Sequence, residues 1–133
     1  MSRELINEYI TRFGKERDVE FEPLNAEGFS QIARGSATVR VNVLDDHGVL
    51  LLLSPIMSVP EKNNEEFYRR LLELSFLATS DAAFAIDKKT DMVFLRVLRR
   101  LEGLDYEEFE DLLHTIATVA DAWDDKLKAQ FGS

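Results

Sequence analysis

Residues 63–98, NNEEFYRRLLELSFLATSDAAFAIDKKTDMVFLRVL, decide the fold. The stretch predicts a helix, a turn, a strand, a second turn and a second strand. Asn63, with Glu66 three residues on, marks a capping-box start, and the helix is expected to run to about Thr79. Phe67, Leu71, Leu74 and Ala78 form one apolar stripe, and Tyr68, Leu72 and Phe76 form a second beside it. One stripe suffices to sit on a sheet. The second needs another cover, either a twin subunit or the loops of the same chain. Residues 81–87 read as a strand carrying Phe84 and Ile86, and residues 88–91 as its turn. In residues 92–98, Val93, Leu95 and Val97 share one face, while Met92, Phe94 and Leu98 share the other; only Arg96 interrupts. A chain of this size has trouble hiding so much two-sided apolar surface. The segment is therefore expected to be core and self-association surface together.

Outward from that stretch, the upstream chain reads as one helix and three strands. Ser2 can cap a helix from Arg3 to about Glu16, with Leu5, Ile6, Tyr9, Ile10 and Phe13 on one face and Gly14 at a position suited to a left-handed stop. Residues 19–27 are ambiguous. Residues 28–33, GFSQIA, alternate weakly and suggest an edge strand. Residues 37–44 alternate cleanly, with Val39, Val41 and Val43 against Thr38, Arg40 and Asn42. Asp45-Asp46-His47-Gly48 is a hairpin turn, and the nearly continuous apolar run 49–57 follows as a strand in the middle of a sheet. Register across the turn is open, since a one-residue change decides which of Leu50 to Leu53 joins the valine face.

Downstream, Asp105 with Glu108 makes another capping box. Tyr106, Phe109, Leu113, Ile116, Ala120, Trp123 and Leu127 then recur at steps of three and four, the strongest periodicity in the chain. The stripe spans too few heptads, and holds too many aromatics, for a coiled-coil seam, so it is expected on the sheet. The fold class is α+β: an antiparallel sheet with helices packed on it, in the order helix, three strands, helix, two strands, helix. The whole length, 1–133, is expected to form one domain.

Composition narrows the function. The chain has 25 acidic residues against 16 basic, a formal net charge of −9, and no cysteine. Disulfides, thiolate metal sites and cysteine nucleophiles are thereby excluded, and a phosphate backbone is a poor partner for so acidic a chain. No apolar run approaches a membrane span, and MSRELINEY lacks a signal-peptide apolar core, so a cytoplasmic protein without membrane insertion is expected. His47 beside Asp45 and Asp46 could touch a metal, but hairpin turns favour Asp for backbone reasons. His114 is expected to pair with Glu110 on the helix surface. Asp121, Asp124 and Asp125 share a helix side with nothing opposite them. Arg99-Arg100 is the one dense basic spot. There is no phosphate loop and no nucleophile elbow. No enzyme, cofactor or metal is expected; binding is.

Residues 71–127 resemble the second half of the Tir-chaperone (CesT-like) family, the class I chaperones of bacterial type III secretion. Leu71-Leu72, Ile86-Asp87, Leu95, Leu104-Asp105, Phe109 and Trp123 match its pattern in order. Ser75 stands where the family often has Asn, and Ser80-Asp81-Ala82 replaces a glycine-rich turn. The resemblance implies a homodimer, formed largely through the middle helix and adjoining strand, that holds the N-terminal segment of an effector without ATP. On that basis Phe67, Leu71, Leu74, Ser75, Ala78, Phe84, Ile86 and Phe94 are expected at the dimer interface. Leu5, Ile10, Phe29, Ile32 and whichever of Val41 or Leu51 faces outward are expected to contact the partner. The alternative is a scaffold or regulatory binding module of the same fold outside secretion.

Overall fold

The computed structural model describes residues 2–132. Helix α1 (Ser2–Glu16) is followed by strands β1 (Phe29–Arg34), β2 (Ala37–Leu44) and β3 (Val49–Ser58). Helix α2 (Asn64–Leu77), strands β4 (Ala83–Asp87) and β5 (Met92–Arg100), and helix α3 (Tyr106–Phe131) complete the chain. The strands form one antiparallel sheet in the order β1-β2-β3-β5-β4, which is the architecture the sequence predicts.

Register across the hairpin turn is decided by burial. Val41 pairs with Leu52 and Val43 with Leu50. Leu50 and Leu52 therefore join Val39, Val41 and Val43 on the dry face, and Leu51 and Leu53 point the other way. Gly48, in the left-handed region at φ 63°, closes the turn on the carbonyl of Asp45. On β5, Val93, Leu95 and Val97 continue the same dry face. Pro55 cannot donate to the ladder, and the register shifts between Pro55 and Met57.

Helix α3 crosses this dry face. Tyr106, Phe109, Leu113, Ile116, Ala120 and Leu127 are all buried, joined by Leu112, Ala117 and Val119; Trp123 is half-buried. Each large side chain in this stripe stabilises the fold by about 1.5–3 kcal/mol. Asp105 caps the helix by accepting from the Glu108 N–H at 2.8 Å.

Helix α1 is clamped to α3 by aromatic and polar contacts. Tyr9 packs on Tyr106 and Phe109 with centroids 5.7 and 5.6 Å apart, and its hydroxyl donates to the Leu104 carbonyl. Arg17 pairs with Glu110 at 2.9 Å, Arg12 lies 4.0 Å over the Tyr106 ring, and the Tyr106 hydroxyl donates to Glu16.

Four local expectations are corrected. Asn63 adopts a left-handed conformation, so its side chain makes no capping bond to α2. The helix ends at Leu77 rather than Thr79, because Thr79 turns inward to donate to the Ala82 carbonyl. The left-handed residue after α1 is Asp18, not Gly14; Gly14 is needed because a Cβ there would collide with the Val19 carbonyl. His114 meets Arg34 at 3.1 Å, since Glu110 is taken by Arg17.

The clamp carries a titration signature. Burial, the hydrogen bond to Glu16, and the negative charges of Glu110 and Glu16 push the Tyr106 phenol up to about 12 from its ordinary 10. The unfolded chain then releases this proton first, so stability falls as pH climbs from 10 towards 12. Spectrophotometric titration is expected to show a late tyrosinate step that Tyr106→Phe removes. A variant whose curve superimposes on the parent near pH 12 would contradict the clamp.

Candidate functional site

Among the described residues, two apolar surfaces remain exposed once the core is filled. The first lies on the outer side of α2. Phe67, Leu71 and Leu74 face inward, with Phe67 stacked edge-on against Phe131 of α3 at 5.1 Å. The second stripe points to solvent: Tyr68 is 40% exposed, Leu72 73% and Phe76 88%, and Leu77 beside it is 79% exposed. Loops of the same chain do not cover it. Ser75 Oγ accepts from the Phe84 N–H at 3.1 Å, which ties α2 to β4. Ile86 on that strand is 41% exposed.

The residues expected at a dimer surface are thus divided. Phe67, Leu71 and Leu74 are buried in the chain's own core. Ser75 and Phe84 join α2 to β4, Ala78 and Ile86 are exposed, and Phe94 lies on the opposite face of the sheet. Leu72, Phe76 and Leu77, absent from that set, are the most exposed large apolar side chains of α2, with Tyr68 exposed beside them. The two stripes are alike in hydropathy, so only the way α2 lies on β4 distinguishes them.

The second surface is the sheet face opposite α3. Ladder partners share a face, so the pairings define rows across it. Phe29, Asn42, Leu51 and Leu98 make one row; Gln31, Arg40, Leu53, Arg96 and Ala83 make the next; Leu44, Val49 and Arg100 make a third. Leu98 is 45% exposed, and Phe29, Leu51, Leu53 and Phe94 are half-buried. Among the described residues no helix covers these side chains. Arg40 stacks over Phe29 at 3.8 Å and donates to Asn42 at 3.0 Å.

Of the residues expected to meet a partner, Phe29 and Leu51 lie on this face, and Leu5 is half-buried on α1. Ile10, Ile32 and Val41 are at most 1% exposed and serve the core. Register settles the choice between Val41 and Leu51 in favour of Leu51. The row order, and with it the place of Leu98, Leu53 and the arginines, required the pairings themselves.

Asp45 is held by Arg3 at 2.7 Å, and His47 is exposed. Among the described residues no group of three or more His, Asp or Glu is arranged to hold a metal ion, and no helix is long and apolar enough to cross a membrane.

The sequence profile of the Tir chaperone protein (CesT) family matches residues 8–124. The chain belongs to this family. No curated protein matches it by sequence. Its CesT-family fold is shared with solved structures of low identity. The ExsC-ExsE complex provides a chain 21% identical, with a TM-score of 0.77, covering 94% of this chain and 95% of that one. The HopA1-SchA chaperone-effector complex provides one 11% identical, with a TM-score of 0.74, covering 94% and 97%. The ExoU-SpcU complex from the type III secretion system of Pseudomonas aeruginosa provides one 14% identical, with a TM-score of 0.68, covering 90% and 95%.

The division of α2 into an inner and an outer stripe is testable by a pair of variants. Leu74→Asp places a charge in the core and is expected to cost about 3 kcal/mol or more in urea unfolding. Phe76→Asp is expected to keep native circular dichroism. The opposite ranking would mean that the stripes are exchanged.

Proposed function

We propose that this protein is a secretion chaperone that binds the N-terminal segment of a type III effector and keeps it secretion-competent without ATP. The observation that carries the proposal is the coexistence of two exposed apolar surfaces on a CesT-family chain. An enzyme of this size would spend its polar residues on one concave site. Here the exposed apolar groups are spread over a helix and a sheet face, which suits extended protein segments. The fold is shared with chains from a chaperone-effector complex and from a type III secretion complex, which supports the same assignment.

The working form is a homodimer, with Leu72, Phe76, Leu77 and Ile86 against the second copy. Each large apolar side chain removed from water there would contribute about 1.5–3 kcal/mol. Such a contact is self-complementary around a two-fold axis, because each helix covers its twin. The acidic helix surfaces, with Glu107, Asp111 and Asp125 exposed on α3, keep a protein with apolar patches soluble. Its place of action is the cytoplasm, where an effector is held before export, and its role is non-catalytic.

Sedimentation equilibrium tests the dimer. The parent chain is expected at twice the monomer mass, and the double variant Leu72→Asp/Phe76→Asp at the monomer mass with its secondary structure retained. A parent monomer, or a double variant that remains dimeric, would contradict the assignment of this surface.

A further inference from the structure

The charge of the open sheet face is opposite to that of the molecule. The chain carries 25 acidic residues, yet strands β1, β2, β3 and β5 contain no Asp or Glu at all. The one acidic strand residue is Asp87, at the end of β4, where it accepts from the Lys89 N–H. Arg40, Arg96 and Arg100 point from the open face, and none of them meets a carboxylate among the described residues. Elsewhere Arg3, Arg12, Arg17, Arg69 and Arg99 each pair with at least one, while Arg34 meets His114 and Arg70 lies over the Trp123 ring.

The arginines are placed in relation to the apolar rows. Arg40 and Arg96 flank Leu53 from either side, since both are its ladder partners. Along β5, Arg96, Leu98 and Arg100 alternate on this face, about 7 Å apart at every second residue. The leucine row Leu51–Leu98 therefore runs between cations.

We infer that this face selects a partner segment in which carboxylates flank apolar side chains, the apolar groups seated on Leu51 and Leu98 and the carboxylates on Arg96, Arg100 and Arg40. The inference rests on the chaperone proposal and names the chemistry of its partner. Charge complementarity decides the occupant. A second copy would bring its own arginines against these, a like-charge contact that costs free energy, and the outer stripe of α2 has no such conflict. A phosphate backbone would meet the arginines but brings no apolar side chains to Leu51 and Leu98, and an anionic lipid surface extends past this face onto the acidic remainder of the chain, which a short segment need not touch. Guanidinium groups bind carboxylates in fork geometry, which adds orientation to attraction.

The test uses the full chain and short synthetic peptides with glutamate, leucine and glutamate at every second position, separated by serines. Matched peptides carry glutamine or lysine in place of glutamate. Fluorescence anisotropy at low salt is expected to show the glutamate peptide binding about tenfold more tightly than the glutamine peptide, and the lysine peptide binding weakest. Arg96→Gln/Arg100→Gln is expected to abolish that preference without lowering the melting temperature, since neither side chain pairs with a carboxylate among the described residues. Leu98→Ser is expected to weaken every peptide.

Equal binding of the three peptides, still sensitive to Leu98→Ser, would overturn the charge selection while leaving the face as a partner site. Binding unaffected by Leu98→Ser, or no binding, would overturn the assignment of this face and move the chaperone's partner elsewhere. Loss of dimerisation in Leu98→Ser would give the face to a second copy, and preferential binding of an oligonucleotide or an anionic vesicle would give it to phosphate; either refutes the inference.

Discussion

A slip of one residue across the Asp45–Gly48 turn would turn the buried side of β2 to the opposite face from that of β3. Everything else in the molecule depends on the register that prevents this. With Val41 opposite Leu52 and Val43 opposite Leu50, the dry face is continuous from Ile32 on β1 through Leu95 on β5. Helix α3 has a matching stripe of sufficient length to cover it. The slipped pairing would bury Arg40 and Asn42 under α3 and expose the valines, so burial enforces the register that the turn alone leaves loose. The same constraint defines the open face, because every leucine not used by the core must point away from it.

That dependence explains how much could be read in the chain. The period of Tyr106, Phe109, Leu113 and Ile116 identifies α3 and its buried side without help, and the alternation in residues 37–44 identifies β2. The Asp105 cap is equally local. Residues whose placement depends on a neighbour were harder. Phe67, Leu71 and Leu74 look no more apolar than Leu72 and Phe76, and only the approach of α2 to β4 tells which three are inside. Asn63 resembles a cap in sequence but takes a left-handed conformation that forbids it. Arg96 reads as an interruption of an apolar strand. Once paired with Leu53, opposite Arg40, it is part of a cationic frame.

The functional account follows from what the core leaves over. A fold of three helices and five strands satisfies its buried polar groups; no buried side-chain nitrogen or oxygen among the described residues lacks a hydrogen-bond partner. Its interior is therefore settled, and its unfinished business is external: one apolar helix side and one apolar sheet face. Their charges differ, and so do the occupants they suit. We propose the self-complementary helix surface for assembly and the cationic, leucine-lined sheet face for an acidic partner. Membership of the CesT family gives these surfaces a biological setting.

The central claim is that a dimer of this chain holds an effector by its N-terminal segment. The most direct measurement is native mass spectrometry of the tagged chain captured from secreting cells, with the captured protein mapped by limited proteolysis. The account predicts two copies of the chain with one dominant partner, whose protected fragment comes from its N-terminus. A monomer, or a dimer holding a folded protein with no protected N-terminal segment, would contradict it.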